Sequence, residues 1–115
     1  MHTVAETAAF LRSADAASMT ETERKLAVDT IAANPRAGDL IVGSGGCRKV
    51  RVAGRGFGKS GGYRVITFYA GERAPVYLLW ALSKGQRANL TDAQVSTLAK
   101  LTRGLRQALR APTPE

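Results

Sequence analysis

Three segments rich in β-branched and aromatic residues lie close together in the middle of the chain, between residues 47 and 83. They read CRKVRVA, YRVITFYA and APVYLLWALS. In the first, two valines alternate with Lys49 and Arg51, which is the period of a strand with one buried face. A glycine-rich segment, residues 54–62, joins the first two, and a short GER turn joins the last two as a hairpin. Because such short connections require antiparallel pairing, the sequence predicts a curved antiparallel sheet.

Helical segments flank these strands. The segment SMTETERKLAVDTIAANP contains a capping box, Thr20 with Glu23, and ends at a proline. The segment NLTDAQVSTLAKLTRGLRQALRAP contains a second capping box, Thr91 with Gln94, followed by apolar residues at helical spacing. A short extended segment, residues 3–7, is expected to come first, although AETAAFLR could also begin a helix. The connection RAGDLIVGSGG is typical of a loop.

One domain is expected to account for residues 1–115, with residues 111–115 as a frayed tail, since the length allows one modest core. The predicted fold class is α+β. The N-terminal and C-terminal helices are expected to pack on one face of the sheet and to leave the second face partly open.

The apolar segments are too short to span a bilayer, and the N-terminus lacks the pattern of a secretion signal. Both observations favour a cytoplasmic protein with no membrane partner. Cys47 is the only cysteine, so an internal disulfide is impossible and a cysteine-built metal site would have too few ligands. We expect neither a metal nor a cofactor.

Positive charge dominates the chain, with 17 lysines and arginines against 9 acidic residues and a formal net charge of +8. The segment from residue 48 to residue 64 contains six basic residues and no acidic one. Such clustering favours a polyanionic partner, and nucleic acid is the most common polyanion in a cell. A basic surface that serves only solubility is the alternative.

The octet AGRGFGKS, residues 53–60, fits a relaxed phosphate-loop pattern. A working phosphate loop lies between a buried parallel strand and a helix, whereas these glycines lead into a strand. The pattern therefore does not indicate a nucleotide site. We expect a glycine-rich loop that brings Arg55 and Lys59 over a sugar–phosphate backbone; a plain hairpin connection is the alternative.

Three motifs follow one another in a specific order: GGCRKVR at residues 45–51, GKSGGYRVI at residues 58–66 and SKGQRANLT at residues 83–91. In this order and spacing they resemble the RelE superfamily of bacterial toxins, and its HigB-type branch in particular. The resemblance extends from about residue 3 to residue 109. It implies a small microbial-ribonuclease-like fold and ribosome-dependent, metal-independent cleavage of messenger RNA, which inhibits translation. It also implies neutralisation by a cognate antitoxin, often a helix-turn-helix protein of the HigA type, which would bring the complex to operator DNA.

RNA cleavage without a metal needs a proton acceptor for the attacking 2′-OH, a proton donor for the leaving 5′-oxygen and positive charge around the phosphorane. His2 is the only histidine and lies at the terminus, so basic side chains are left for this chemistry. By resemblance, the catalytic positions are Lys49, Arg51, Arg64 and Lys84. Four further cations are expected to contact RNA: Arg48, Arg55, Lys59 and Arg87.

Lysine accepts a proton only in its neutral form, which neighbouring cations favour. Lys49 is crowded by other cations in the sequence, and we expect it to act as the base, while Arg64 clamps the scissile phosphate. Strand alternation places Tyr63 and Tyr69 on the face opposite Arg64, so the proton donor stays open.

Two other functions fit the same architecture. The ParE branch inhibits gyrase without cutting RNA, although a poison directed at a protein has less need of a phosphate clamp. A non-catalytic RNA-binding module is the second alternative.

Overall fold

The computed structural model describes residues 1–52, 62–83 and 90–110. In chain order, the elements are β1 (Val4–Glu6), α1 (Ala8–Ala16), α2 (Glu21–Ala33), β2 (Asp39–Leu40), β3 (Cys47–Val52), β4 (Tyr63–Tyr69), β5 (Val76–Ser83) and α3 (Asp92–Arg110). The α+β class and the three central strands are confirmed. The helix that AETAAFLR was said to be able to begin is present as α1, after the short strand β1. β2 lies within the segment that was expected to be only a loop.

The five strands form one sheet in the order β1-β5-β4-β3-β2. The three pairs from β2 to β5 are antiparallel, and those of β3 with β4 and of β4 with β5 were predicted. β1 instead pairs with β5 in parallel, from Val4 opposite Val76 to Glu6 opposite Leu78. The sheet is therefore mixed rather than purely antiparallel. Two helices and three strands separate β1 from β5, so the connection is long enough for a parallel pair.

One face of the sheet, called the first face, is defined by Val50, Val65 and Ala81 and packs against α1 and α2. Phe10 of α1 and Ile31 of α2 are buried against these residues in one apolar cluster. This is the larger of the two cores.

The opposite face, called the second face, is defined by Cys47, Ile66 and Phe68 and packs against α3. Leu98 of α3 is fully buried in this cluster. The prediction that the N-terminal and C-terminal helices share one face is therefore wrong. Alternate residues of a strand point to opposite faces, so the apolar residues of the second face cannot be buried by α1 and α2. α3 buries them instead.

Polar contacts tie α3 to the loop of residues 41–46 that precedes β3. Thr102 Oγ1 donates to the carbonyl oxygen of Ser44 at 3.0 Å, and the guanidinium of Arg106 donates to the carbonyl oxygen of Gly45 at 3.0 Å. Gly45 has a φ of +82°, and a Cβ at this position would collide with Thr102 Oγ1. The start of β3 is thereby fixed relative to α3.

Both predicted capping boxes are present. The Thr20 hydroxyl accepts from the backbone N–H of Glu23, whose side chain accepts from the backbone N–H of Thr20. Thr91 and Gln94 make the equivalent pair of bonds, at 3.1 and 2.8 Å. In the part of the chain that the structure describes, none of the helices has the length and apolar character that a bilayer span requires.

Candidate nucleic-acid interface

Three of the predicted catalytic cations lie together on the second face of the sheet. Arg51 on β3 is the direct cross-strand partner of Arg64 on β4, and Lys49 is the partner of Ile66. Since residues two apart on a strand share a face, Lys49 and Arg51 point the same way as Arg64. Arg51 is exposed, while Lys49 and Arg64 are half-buried. The structure brings these three into one cluster, called here the cationic cluster.

The pairing of Arg51 with Arg64 places two guanidinium groups directly opposite each other. Direct cross-strand neighbours have Cβ atoms about 4.5–5.5 Å apart, and like charges in such a pair are unfavourable. Within the described residues, neither guanidinium has a carboxylate partner. A phosphodiester bound between them would supply the missing negative charge, so the arrangement suits an anion.

Arg48, predicted to contact RNA, does not join the cationic cluster. It is the cross-strand partner of Thr67 on the first face, and its guanidinium donates to the carbonyl oxygen of Gly38 at 3.0 Å. The strand period explains the separation, because Arg48 lies one residue from Lys49 and therefore points to the opposite face. The crowding expected around Lys49 comes from Arg51 and Arg64, without Arg48.

The other predicted site residues lie outside the described part of the chain. They are Arg55, Lys59, Lys84 and Arg87. Their assigned roles stay predictions.

Tyr63 and Tyr69, the two tyrosines considered as proton donors, are on the first face, as the alternation predicted. Tyr63 donates its hydroxyl to Glu23 Oε1 at 3.1 Å, and burial together with this bond raises the pKa of Tyr63. Tyr69 stacks edge-on against His2, with ring centroids 5.1 Å apart. Both rings are on the face opposite Arg64, which separates them from the cationic cluster.

His2 is fixed rather than loose. Its backbone N–H donates to the carbonyl oxygen of Ala32 at 2.9 Å, and its Nε2 lies 2.7 Å from the carbonyl oxygen of Ala74. These contacts fasten the N-terminus to the end of α2 and to the turn between β4 and β5. His2 therefore has a structural explanation that needs no catalytic role.

Two residues at the second face were not singled out from the sequence. Asp39 on β2 is the direct cross-strand partner of Lys49. The sequence did not indicate this pairing, because residues 36–46 were expected to form only a loop. Arg106 on α3 was not singled out from the sequence, which left its helix face open to solvent or to RNA. Its guanidinium instead stacks on Phe68, 4.8 Å from the ring centroid, and donates to the 41–46 loop.

Among the described residues, no group of three or more histidine, cysteine, aspartate or glutamate side chains is placed to hold a metal ion. Among the described residues of β2, β3 and β4, the charged groups on the second face are Lys49, Arg51, Arg64 and the carboxylate of Asp39. Cations in such an arrangement have the charge that a phosphodiester would require of a binding surface.

The family model for the RelE toxin of the RelE/RelB toxin–antitoxin system matches residues 2–111. The match covers every element from β1 to α3, including both strands that carry the cationic cluster. A toxin of this kind has an antitoxin as its partner. The chain belongs to the RelE toxin family.

Proposed function

We propose that this RelE-family toxin is an endoribonuclease that cleaves messenger RNA in the decoding site of the ribosome, without a metal ion, and so inhibits translation. The observation that carries the proposal is the cationic cluster, in which Lys49, Arg51 and Arg64 share one face of two adjacent strands. RelE-family toxins are generally endoribonucleases. Such an enzyme needs cations that hold the scissile phosphate, whereas a gyrase inhibitor does not need them.

The proposed reaction is an attack of the 2′-oxygen on the adjacent phosphorus. Lys49 takes the proton of the 2′-OH while the bond from the 2′-oxygen to phosphorus forms. Arg51 and Arg64 hold the non-bridging oxygens, whose negative charge increases in the phosphorane. The bond to the 5′-oxygen then breaks, leaving a 2′,3′-cyclic phosphate and a 5′-hydroxyl. The leaving oxygen takes its proton from water or from a cation of the site, because Tyr63 and Tyr69 lie on the other face.

The second half of the proposal concerns the partner. We assign the toxin to the HigB-type branch and its antitoxin to the helix-turn-helix HigA type, with the complex held on operator DNA by the antitoxin. Binding of the antitoxin neutralises the toxin. A ribosomal target places the active protein in the cytoplasm.

Expression in growing cells, followed by primer extension on abundant messages, tests the proposed activity. The wild-type protein should give breaks within translated codons, with 2′,3′-cyclic phosphate ends. Lys49→Ala should abolish the breaks, because it removes the proposed base. The variant should still sediment with ribosomes, because it keeps most of the basic surface. Lys25→Ala, a substitution of an exposed lysine on α2, serves as the matched control and should cleave like the wild type.

Three outcomes would contradict the proposal. Full cleavage by Lys49→Ala would remove this residue from the chemistry. DNA damage without RNA breaks would support the gyrase alternative. Ribosome or RNA binding without breaks of either kind would indicate a non-catalytic module.

A further inference from the structure

Three strand ends meet at Tyr63. This residue begins β4 and pairs with Val52, the last residue of β3, on one side and with Ser83, the last residue of β5, on the other. The ends of strands open more readily than their centres, because fewer neighbours hold them. Arg64 of the cationic cluster is the next residue along β4, so its position depends on how firmly this end of the sheet is held.

Electrostatic repulsion acts on the same end of the sheet. Arg64 lies directly opposite Arg51, one pair further in than Tyr63, and two like charges in such a pair repel each other. The repulsion favours separation of β3 from β4 at the end where both strands are held least firmly. A contact on the first face of β4 can oppose this separation and leave the cationic cluster free for an anion.

Tyr63 makes such a contact with α2. Its hydroxyl donates to Glu23 Oε1 at 3.1 Å and also lies 3.4 Å from the carbonyl oxygen of Ser18. The side chain of Tyr63 packs, half-buried, against the core of the first face. The bond to Glu23 therefore joins the start of β4 to the first turn of α2.

Glu23 is a well-fixed acceptor. It is 4% exposed, and the same Oε1 accepts from the backbone N–H of Thr20 at 2.9 Å in the capping box of α2. A carboxylate is favourable in the first turn of a helix, and a buried one needs hydrogen-bond donors. α2 is itself fixed by Ala27 and Ile31, which are buried in the core of the first face. The helix thus holds the carboxylate in place, and the carboxylate holds the start of β4.

We propose that Tyr63 is a positioning residue: its bond to Glu23 fixes the start of β4 and so keeps Arg64 in place opposite Arg51. The inference rests on the proposed ribonuclease activity, to which it adds a residue that acts from the opposite face of the sheet. Tyr63 touches neither RNA nor the reacting atoms in this role and acts through the backbone of β4. A contact that only stabilised the fold would change cleavage only through the amount of folded protein.

Single-turnover cleavage on ribosomes, measured over a range of concentrations of purified toxin, tests this role. Tyr63→Phe keeps the ring and removes the hydroxyl. Its maximal rate should fall about 10-fold, because a small displacement of a group that holds the reacting phosphate is costly. The toxin concentration that gives the half-maximal rate should not change, since the exposed basic side chains are intact.

Substitutions of Glu23 show whether the hydroxyl acts through this residue. Glu23→Gln keeps an oxygen that can accept both hydrogen bonds and should cleave like the wild type. Glu23→Ala should lower the maximal rate as Tyr63→Phe does. The variant with both Tyr63→Phe and Glu23→Ala should be no slower than either single variant, because the two residues form one contact.

Thr7→Val is the matched control. The Thr7 hydroxyl also joins a helix of the first face to the sheet, since it donates to the carbonyl oxygen of Leu78 at 2.7 Å and accepts from the backbone N–H of Phe10 at 3.1 Å. Leu78 pairs with Thr67, away from the start of β4. Thr7→Val should lower the melting temperature, as the loss of a helix cap does, but keep the wild-type maximal rate.

Amide hydrogen exchange gives a measurement that needs no catalysis. In Tyr63→Phe the backbone amide of Arg64 should exchange about 10-fold faster relative to that of Ile66, because the end of β4 opens locally while its centre stays closed. Thr7→Val should leave this ratio unchanged.

The results separate the inference from the proposed function. Cleavage by Tyr63→Phe at the wild-type maximal rate, or an equal loss of rate in Thr7→Val, would overturn the positioning role and leave the ribonuclease intact. An unchanged exchange ratio in Tyr63→Phe would also overturn that role. Absence of any cleavage by the wild type would overturn the ribonuclease and the inference with it.

Discussion

Arg51 and Arg64 are direct cross-strand partners on β3 and β4, and in the described chain neither has a carboxylate beside it. Natural sheets avoid like charges in such pairs because each pair costs a few tenths of a kcal/mol up to about 1 kcal/mol. The fold accepts this cost on the face where the proposed function needs an anion. Stability and activity should therefore respond in opposite directions when the pair is broken.

Arg51→Gln should raise the free energy of unfolding by about 0.5 kcal/mol, because it removes the repulsion with Arg64. The same substitution should lower RNA cleavage, since one of the two phosphate contacts is lost. Urea unfolding and cleavage on ribosomes measure the two effects. Arg12→Gln, at an exposed position of α1, should change neither.

Binding of inorganic pyrophosphate gives an independent test of whether Arg51 and Arg64 hold an anion. It should raise the melting temperature of the wild-type protein more than that of Arg51→Gln, because an anion that binds only the folded state stabilises it. Equal shifts in the two proteins would show that the anion binds elsewhere.

Two glycine substitutions should have opposite effects. Gly45→Ala should destabilise the protein by more than about 2 kcal/mol, because the residue has a φ of +82° and the new Cβ would collide with Thr102 Oγ1. Gly104→Ala should stabilise it by up to about 1 kcal/mol, since this exposed position of α3 has no heavy atom within 4 Å of the added Cβ. Thermal unfolding of both variants checks the prediction, which a stabilising Gly45→Ala would refute.

The contact between α3 and the 41–46 loop should depend on one buried hydroxyl. Thr102→Val keeps the shape of the side chain but removes the bonds to the carbonyl oxygens of Ser44 and Ala99, and should cost about 1–3 kcal/mol. Thr97→Val is the matched control, because Thr97 is exposed and bonds only to Ala93 in its own helix. Its cost should stay within about 0.5 kcal/mol. Equal costs in urea unfolding would mean that the bond to the loop contributes nothing.

Cys47 should make stability depend on pH in alkaline solution. Burial raises the pKa of the Cys47 thiol from 9.0 to about 11. Between these values the unfolded chain has lost the proton and the folded chain has kept it, so the free energy of unfolding should fall as the pH rises from 9 to 11. Below pH 9 both states are protonated and this dependence disappears.

Urea unfolding at a series of pH values measures this dependence, with Cys47→Ala for comparison. Cys47→Ala is expected to be less stable overall. Its free energy of unfolding should also depend less steeply on pH than that of the wild type. The raised pKa of Tyr63 contributes in the same direction above pH 10, so some slope should persist. A variant with the wild-type slope would exclude Cys47 as the source.

Local patterns in the sequence were sufficient for several features. Alternation placed Lys49 and Arg51 on one face, and the side chains of the two capping boxes bond to backbone groups only three residues away. Such features depend on contacts between near neighbours, so they can be read without knowledge of the fold. The pattern was less reliable for burial. Helical spacing groups Leu26 with Ala27 and Ile31 on one face, yet Leu26 is 45% exposed. Glu23, a charged residue, is buried and accepts a hydrogen bond from Tyr63.

The sequence by itself determined the three central strands, the starts of α2 and α3, and which basic residues of one strand point the same way. These features follow from backbone geometry and the spacing of side chains. The tertiary structure alone decided that β1 pairs in parallel with β5, that α3 covers the second face and that Asp39 stands opposite Lys49. These relationships join residues far apart in the chain. They depend on strand order and on which apolar surfaces bury each other, and no local pattern records either.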